Sequence, residues 1–259
     1  MDLGPRIIIL FDNGVYITET VFWAVIVAVI LIIFAFVSTR KLERDPKGIQ
    51  AVAELIVEMV YKFVKDTMGK HNLKFAPYIG TLFIFLILCN ALGLLGQRAA
   101  TADMNFTFAM GLLVFFLIQY NSIKSKGICG YMKHFTGPAG IPPLMKIFMV
   151  PINIIEELVF PVSLSFRIFG NILAGVIVVE LWFHFMSFVS TKIFPEALSA
   201  MGLYPFQFVT GLLPQAFFDI FEPFLQAFVF SMLTMSFIAR AIVIHSPDDG
   251  EQQKAEKTQ

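Results

Sequence analysis

Residues Val21–Thr39 read VFWAVIVAVILIIFAFVST, a run without a single charge. At 1.5 Å per residue a helix of this length reaches about 28 Å, close to the ~30 Å thickness of a bilayer's hydrocarbon core. Lipid offers no partners for backbone N–H and C=O groups, so a crossing segment must be a helix or part of a closed barrel. The run shows no alternation of apolar and polar residues, which leaves the helix. Uncharged stretches recur at 75–97 and 104–123. The chain therefore reads as an all-α integral membrane protein.

Composition agrees. Only 15% of residues are charged and 57% are hydrophobic, against about 25% charged in ordinary soluble domains. Mean hydropathy is +0.76. The net charge is zero and no basic patch is present, so nucleic acid is not an expected partner. Cys89 sits in an apolar run and Cys129 in a polar loop, which does not make a disulfide framework. The opening MDLGPRIII lacks the charged region and small-residue cleavage site of a signal peptide, so the first apolar run is expected to be retained.

Lys and Arg fix an expected orientation. Arg40, Lys41, Arg44 and Lys47 follow the first run, whereas only Arg6 precedes it. Positive residues stay cytoplasmic, so this span runs inward from an external N-terminus. The segment 48–70 then places Ile49, Val52, Ala53, Ile56, Met59, Val60, Phe63 and Val64 at spacings of three and four, with Glu54, Glu58, Lys62 and Lys65 opposite. It reads as an amphipathic helix on the cytoplasmic side, lying on the membrane or a partner, or else forming a buried arm of the bundle. Spans 75–97 and 104–123 make a hairpin with a short external turn, and the second ends at Lys124, Lys126 and Lys133. Asp103 in that turn is expected to cap the following helix.

Two longer segments follow, 143–189 and 205–245, joined by a turn-rich link, and the polar tail 246–259 is expected in the cytoplasm. Each exceeds what one perpendicular crossing needs, so both are read as tilted helices forming a hairpin. The whole of 1–259 is thus one membrane domain of about five spans, with residues 1–20 outside.

The long segments carry charges where charges are costly. Arg167 lies within PVSLSFRIFGNILAG, and an arginine at mid-bilayer costs roughly 2.5–3.5 kcal/mol on insertion scales. Glu156 precedes it by eleven residues, about 16 Å along a helix, too far for a direct pair. Ser163 and Asn171 share its stripe at four residues on either side. On the last segment Asp219, Glu222 and Gln226 fall at i, i+3, i+7 on one face. In an antiparallel hairpin Arg167 lies near the level of Gln226, with Glu180 and Asp219 toward the outside and Glu156 toward the cytoplasm. A fixed positive charge then divides two acid-lined approaches.

Four ordered segments, PVSLSFRIFGNILAG, QAFVFSMLTM from Gln226, APYIGTLFIFLILCNALGLL from Ala76 and TADMNFTFAM from Thr101, together resemble subunit a of the F-type ATP synthase. The resemblance covers nearly the whole chain. It implies a membrane stator packed against a ring of c subunits, held by the subunit b stalk and the rest of the complex, with two offset half-channels. Arg167 would be the stator arginine that faces the rotor carboxylate, with Asn171 and Gln226 as polar companions and Glu156 as the cytoplasmic acid, at a shortened spacing. A bacterial cell membrane is the expected location. Many family members carry Glu nine residues after that arginine, whereas Val176 stands here. Glu180, one turn further, and Asp219 are expected to line the external path instead, and Glu222 either joins them or ends near the interface.

His184 reads as an interfacial residue and His245 as a helix end, Arg240 as a snorkelling anchor and Cys89 as packing. No cofactor is expected, and the resemblance implies no catalytic site of its own, since nucleotide chemistry in such complexes belongs to other subunits and no phosphate-binding glycine loop is present. The coupling ion, proton or sodium, is set by a rotor site on another chain. Two other functions compete with this reading. An intramembrane metalloprotease could use Glu156 and Glu157, but Pro161 stands where one such family has arginine. A secondary transporter would show internal repeats, and none is visible.

Overall fold

The computed structural model describes residues 7–10, 16–40, 47–95, 97, 99–135, 143–193 and 205–242. Lys41, Arg44, the link 194–204, His245 and the tail lie outside them, as do the side chains of Cys129 and Lys133.

The chain opens with a small antiparallel pair that the sequence reading did not anticipate, β1 (Ile7–Leu10) with β2 (Tyr16–Thr18), in which Leu10 pairs with Tyr16. Thr18 also caps the next helix, α1 (Glu19–Thr39), by accepting a hydrogen bond from the Val21 N–H at 3.4 Å. The remainder is helical: α2 (Ile49–Met68), α3 (Ala76–Ala91), α4 (Met104–Phe135), α5 (Pro143–Ile193), α6 (Pro205–Ala216) and α7 (Glu222–Ile242). Five stretches are long and apolar enough to cross a membrane: Glu19–Thr39, Lys70–Leu95, Met104–Ile128, Met145–Ile193 and Val209–Ile242. The protein is an all-α, multi-pass integral membrane protein.

The apolar surface is divided in a way only lipid tolerates. Along α1, Val25, Ile32, Ile33 and Phe36 are exposed and only Val27 among its hydrophobics is buried. The interior forms where α3, α4, α5 and α7 meet: Leu82, Leu86, Val114, Leu164, Ile168, Ala227 and Phe230 make one cluster. A second, of Val64, Met68, Phe75, Ile79, Met235 and Ile238, joins α2 to α3 and α7. The C-terminal half of α2 is thus a packed arm of the bundle, while Ile49, Val52 and Leu55 near its start remain exposed. Helices approach closely where side chains are absent. A Cβ on Gly80 of α3 would stand 2.9 Å from Val60 of α2, and one on Gly111 of α4 would meet the Ser165 hydroxyl and stand 2.9 Å from the Pro161 carbonyl of α5.

Two irregularities direct later side chains. Helix α4 is broken at Gly127, whose φ of 70° and ψ of 165° lie in a region essentially reserved for glycine. Between α6 and α7 a π-helical turn covers Phe217–Phe221. It lies between Pro214 and Pro223, and Pro223 has no N–H to offer the carbonyl of Asp219. The wider turn accommodates that missing bond and changes the phase of the helix. Helix α5, with 51 residues, is about 75 Å long at 1.5 Å per residue, more than twice the hydrocarbon thickness, so it cannot stand upright in a bilayer.

Candidate functional site

Helix α5 divides its residues between two faces. Pro161, Leu164, Ser165, Ile168, Ile172 and Gly175 are buried against α4 and the α6–α7 segment. Glu156, Ser163, Arg167, Gly170, Asn171 and Ala174 are exposed. Spacings of seven and four connect Glu156, Ser163, Arg167 and Ala174, so these share one helical stripe. A Cβ on Gly170 would meet nothing within 4 Å, so the surface beside Arg167 is open.

Arg167 makes no ion pair or hydrogen bond among the described residues. One turn beyond it, Asn171 Nδ2 donates to Gln226 Oε1 across to α7 at 2.9 Å. Gln226 is 4% exposed, and its other amide atom, Nε2, is buried without a partner. Helix α5 thereby presents a guanidinium with no carboxylate beside it among the described residues, and the unused Gln226 amide donor lies buried between α5 and α7.

The π turn separates Asp219 from the stripe that regular spacing predicts. Its Oδ1 lies 3.8 Å from where a Cβ on Gly93 would stand, beside the short 3-10 segment Leu92–Leu95 that follows α3. Glu222 turns to α5 instead, with Oε2 3.1 Å from the Cβ position of Gly175, next to the Phe218 ring. Gly175 follows Arg167 by eight residues, about 12 Å along the helix. Glu180 is partly exposed and stands 3.9 Å from the exposed His184, a neighbour the sequence reading had assigned to the interface alone. The candidate residues thus form separate pairings: Asn171 with Gln226, Glu222 with Gly175, Asp219 with Gly93, and Glu180 with His184. Arg167, Ser163 and Glu156 stand on the open face. Near the Asp219 end, Thr101 donates to Asn90 inside the bundle, and Asp103 Oδ1 accepts from the Asn105 N–H at 3.0 Å, as a cap for α4.

The sequence profile of the family described as ATP synthase A chain matches residues 21–239. The chain belongs to this family. Relatives are similar over most of their length. The ATP synthase subunit a of Moorella thermoacetica is 33% identical over 221 residues, 85% of this chain and 88% of the relative. The ATP synthase subunit a 2 of Chlorobaculum tepidum is 34% identical over 250 residues, 95% of this chain and 68% of the relative. The ATP synthase subunit a of Helicobacter hepaticus is 34% identical over 226 residues, 86% and 89%.

In this member of the ATP synthase A chain family a second polar group lies near the other end of α5, where sequence reasoning selected Glu156 alone. Glu157 Oε2 accepts a hydrogen bond of 2.8 Å from Gln119 Nε2 of α4 and lies 3.1 Å from the Tyr131 hydroxyl. Periodicity could have identified it. Glu157 shares the inward stripe of Pro161, Leu164 and Ile168, whereas Glu156 shares the outward stripe of Arg167. Gly175 had no such local signal, because its significance lies in what packs on it.

Proposed function

We propose that this chain is the ion-translocating stator of the Fo sector of an F-type ATP synthase, in which Arg167 meets the carboxylate of each passing c subunit. The observation that carries the reading is Arg167 itself, exposed on an apolar helix with no ion pair among the described residues. A guanidinium keeps its charge without a partner and supplies five donors in a fixed fork. A carboxylate brought beside it is held in the ionised form, so the rotor site releases its proton there. Two half-channels meet at this point, and the fixed charge opposes a cation leaking directly between them. Ser163, Gly170 and Ala174 keep the surface low, which suits the close passage of a helix. Asn171 and Gln226 fix the hairpin at that level.

On the external side the path is formed by Asp219 and Glu222, with Glu180 and its neighbour His184 at the mouth. Glu222 over Gly175 supplies the acid that Val176 does not. On the other side Glu156 and Glu157 face the cytoplasm. Arg40 and Lys47 after α1 and Lys124 and Lys126 at the end of its span in α4 support an external N-terminus and a cytoplasmic C-terminus. The protein works within the complete complex, against the c ring and the subunit b stalk, in a bacterial cell membrane as its relatives' sources support, and with the coupling ion, proton or sodium, set by the rotor site. Replacing Arg167 by Ala in that complex is expected to abolish proton-driven ATP synthesis while the nucleotide-hydrolysing subunits keep turning over. Synthesis near the wild-type rate would overturn the assignment.

A further inference from the structure

Serine and threonine hydroxyls within a helix can bond to the carbonyl four residues back, which satisfies them without help from another segment. This chain uses that bond repeatedly. Thr39 donates to the Ala35 carbonyl at 2.8 Å, Thr81 to Pro77 at 2.8 Å, Ser165 to Pro161 at 2.7 Å and Thr210 to Phe206 at 2.6 Å. Two hydroxyls in the middle of α7 do not follow the pattern. Ser231 and Thr234 are 0% exposed, and neither hydroxyl has a hydrogen-bond partner among the described residues. The carbonyls of Ala227 and Phe230 stand at the four-residue spacing, yet neither accepts from them. Spaced i, i+3, the two side chains are neighbours on one face of the helix.

That face looks into the bundle. Helices α3 and α7 run antiparallel there, since Ile79 shares a cluster with Met235 and Ile238, while Leu82 and Leu86 share the other with Ala227 and Phe230. Ser231 and Thr234 fall between these two levels. At the matching level of α3 stands Tyr78, which packs against both clusters and whose hydroxyl is likewise buried without a partner. Three unpartnered hydroxyls therefore occupy one layer of an apolar interior, about 7–12 Å along α7 from Gln226.

The surroundings decide what such a layer can hold. Apolar side chains supply no hydrogen-bonding group, and a hydroxyl buried without one is costly. The cavity of about 250 Å³ at the Lys126 end is lined by other residues, with none of these three on its wall. No charged side chain is buried among the described residues, so an ion in this layer would have no counter-charge beside it. A hydroxyl both donates and accepts, which suits a small neutral ligand able to do the same. Water has that chemistry, and in protein interiors it typically makes about three hydrogen bonds.

We propose that the hydroxyls of Ser231, Thr234 and Tyr78 form a buried water-binding site that joins α7 to α3 inside the bundle. The bound water gives each hydroxyl the partner that the packing withholds. It also gives α7 a second polar tie. The Asn171–Gln226 bond holds the helix to α5 at one level, and the water holds it to α3 between one and two turns further on. Rotation of α7 about its own axis, which would carry Gln226 away from Asn171, is opposed from both sides. The site needs no rotor and no ion path, so it stands independently of the stator reading.

The test uses the complete complex with Ser231→Ala, Thr234→Val and Tyr78→Phe, each of which removes a hydroxyl and little else. The sign of the effect decides. With water bound, every single variant leaves the remaining partners short of a hydrogen bond and should lower the midpoint of thermal dissociation by about 2–4 °C. Any two combined should lower it by less than the sum of the singles, because the orphaned partner is gone as well. Without water, the same substitutions remove a costly buried polar group and raise the midpoint. A raised or unchanged midpoint, or strict additivity, would overturn the proposal. A density map of the wild-type complex, fine enough to show ordered water, keeps the test open should a variant fail to assemble. It should contain one peak within hydrogen-bond distance of Ser231 Oγ, Thr234 Oγ1 and the Tyr78 hydroxyl. No peak, or the α7 hydroxyls turned onto the carbonyls of Ala227 and Phe230, would overturn it equally.

Discussion

Asn171 on α5 and Gln226 on α7, 55 residues apart in sequence, are joined by a 2.9 Å hydrogen bond one helical turn from Arg167, which has no ion pair among the described residues. This bond fixes the register of the hairpin. It also uses the Gln226 carbonyl and leaves the Gln226 Nε2 buried without a partner among the described residues.

Loss of the pair has a measurable signature. Interhelical hydrogen bonds in membranes contribute about 0.6 kcal/mol on average and up to about 2 kcal/mol. Asn171→Leu and Gln226→Leu are each expected to destabilise the assembled subunit by about 1 kcal/mol. The double variant should cost clearly less than their sum, because no buried partner is left unpaired. Thermal dissociation of the intact complex measures it, and strict additivity would show that the bond carries no coupling.

The external acids separate in the same experimental frame. Glu222 sits on Gly175 within the bundle, whereas Glu180 faces outward beside His184. Glu222→Gln and Asp219→Asn are expected to slow proton-driven ATP synthesis by about tenfold, on the scale of a proton-transfer group removed. Glu180→Gln should slow it by no more than about twofold. Equal losses for Glu180 and Glu222, read in vesicles at a fixed proton gradient, would place both in the narrow part of the path.

Gly127 supplies a third test. Its φ of 70° and ψ of 165° would strain alanine by roughly 1–3 kcal/mol. Gly127→Ala should therefore straighten α4 and withdraw Tyr131 from Gln119. Its loss of thermal stability should overlap with that of Tyr131→Phe, and combining the two should cost less than their sum. A full additional loss in the double variant would mean that the glycine acts elsewhere.

Much of this arrangement was legible before any coordinates. Uncharged runs require helices because lipid leaves the backbone no other partners, and five such spans exist. The spacing of Ser163, Arg167 and Asn171 is a property of one helix, and the three residues do lie on its exposed side. The short β1–β2 pair was not legible, since few residues carry its alternation. The regular stripe of Asp219, Glu222 and Gln226 was read through a segment that the two prolines distort into a π turn, so Asp219 and Glu222 end beside different helices.

The sequence by itself determined the solvent of this protein, its helical class and the presence of a permanent positive charge on an otherwise apolar helix, because each follows from local chemistry and a fixed helical period. Tertiary structure alone decided which acids accompany that charge. Glu222 reaches α5 because Gly175 offers no side chain there, and Glu157 gains Gln119 and Tyr131 because α4 folds back at Gly127. Contacts between distant segments depend on shape and close approach, and no periodicity within a single helix encodes them.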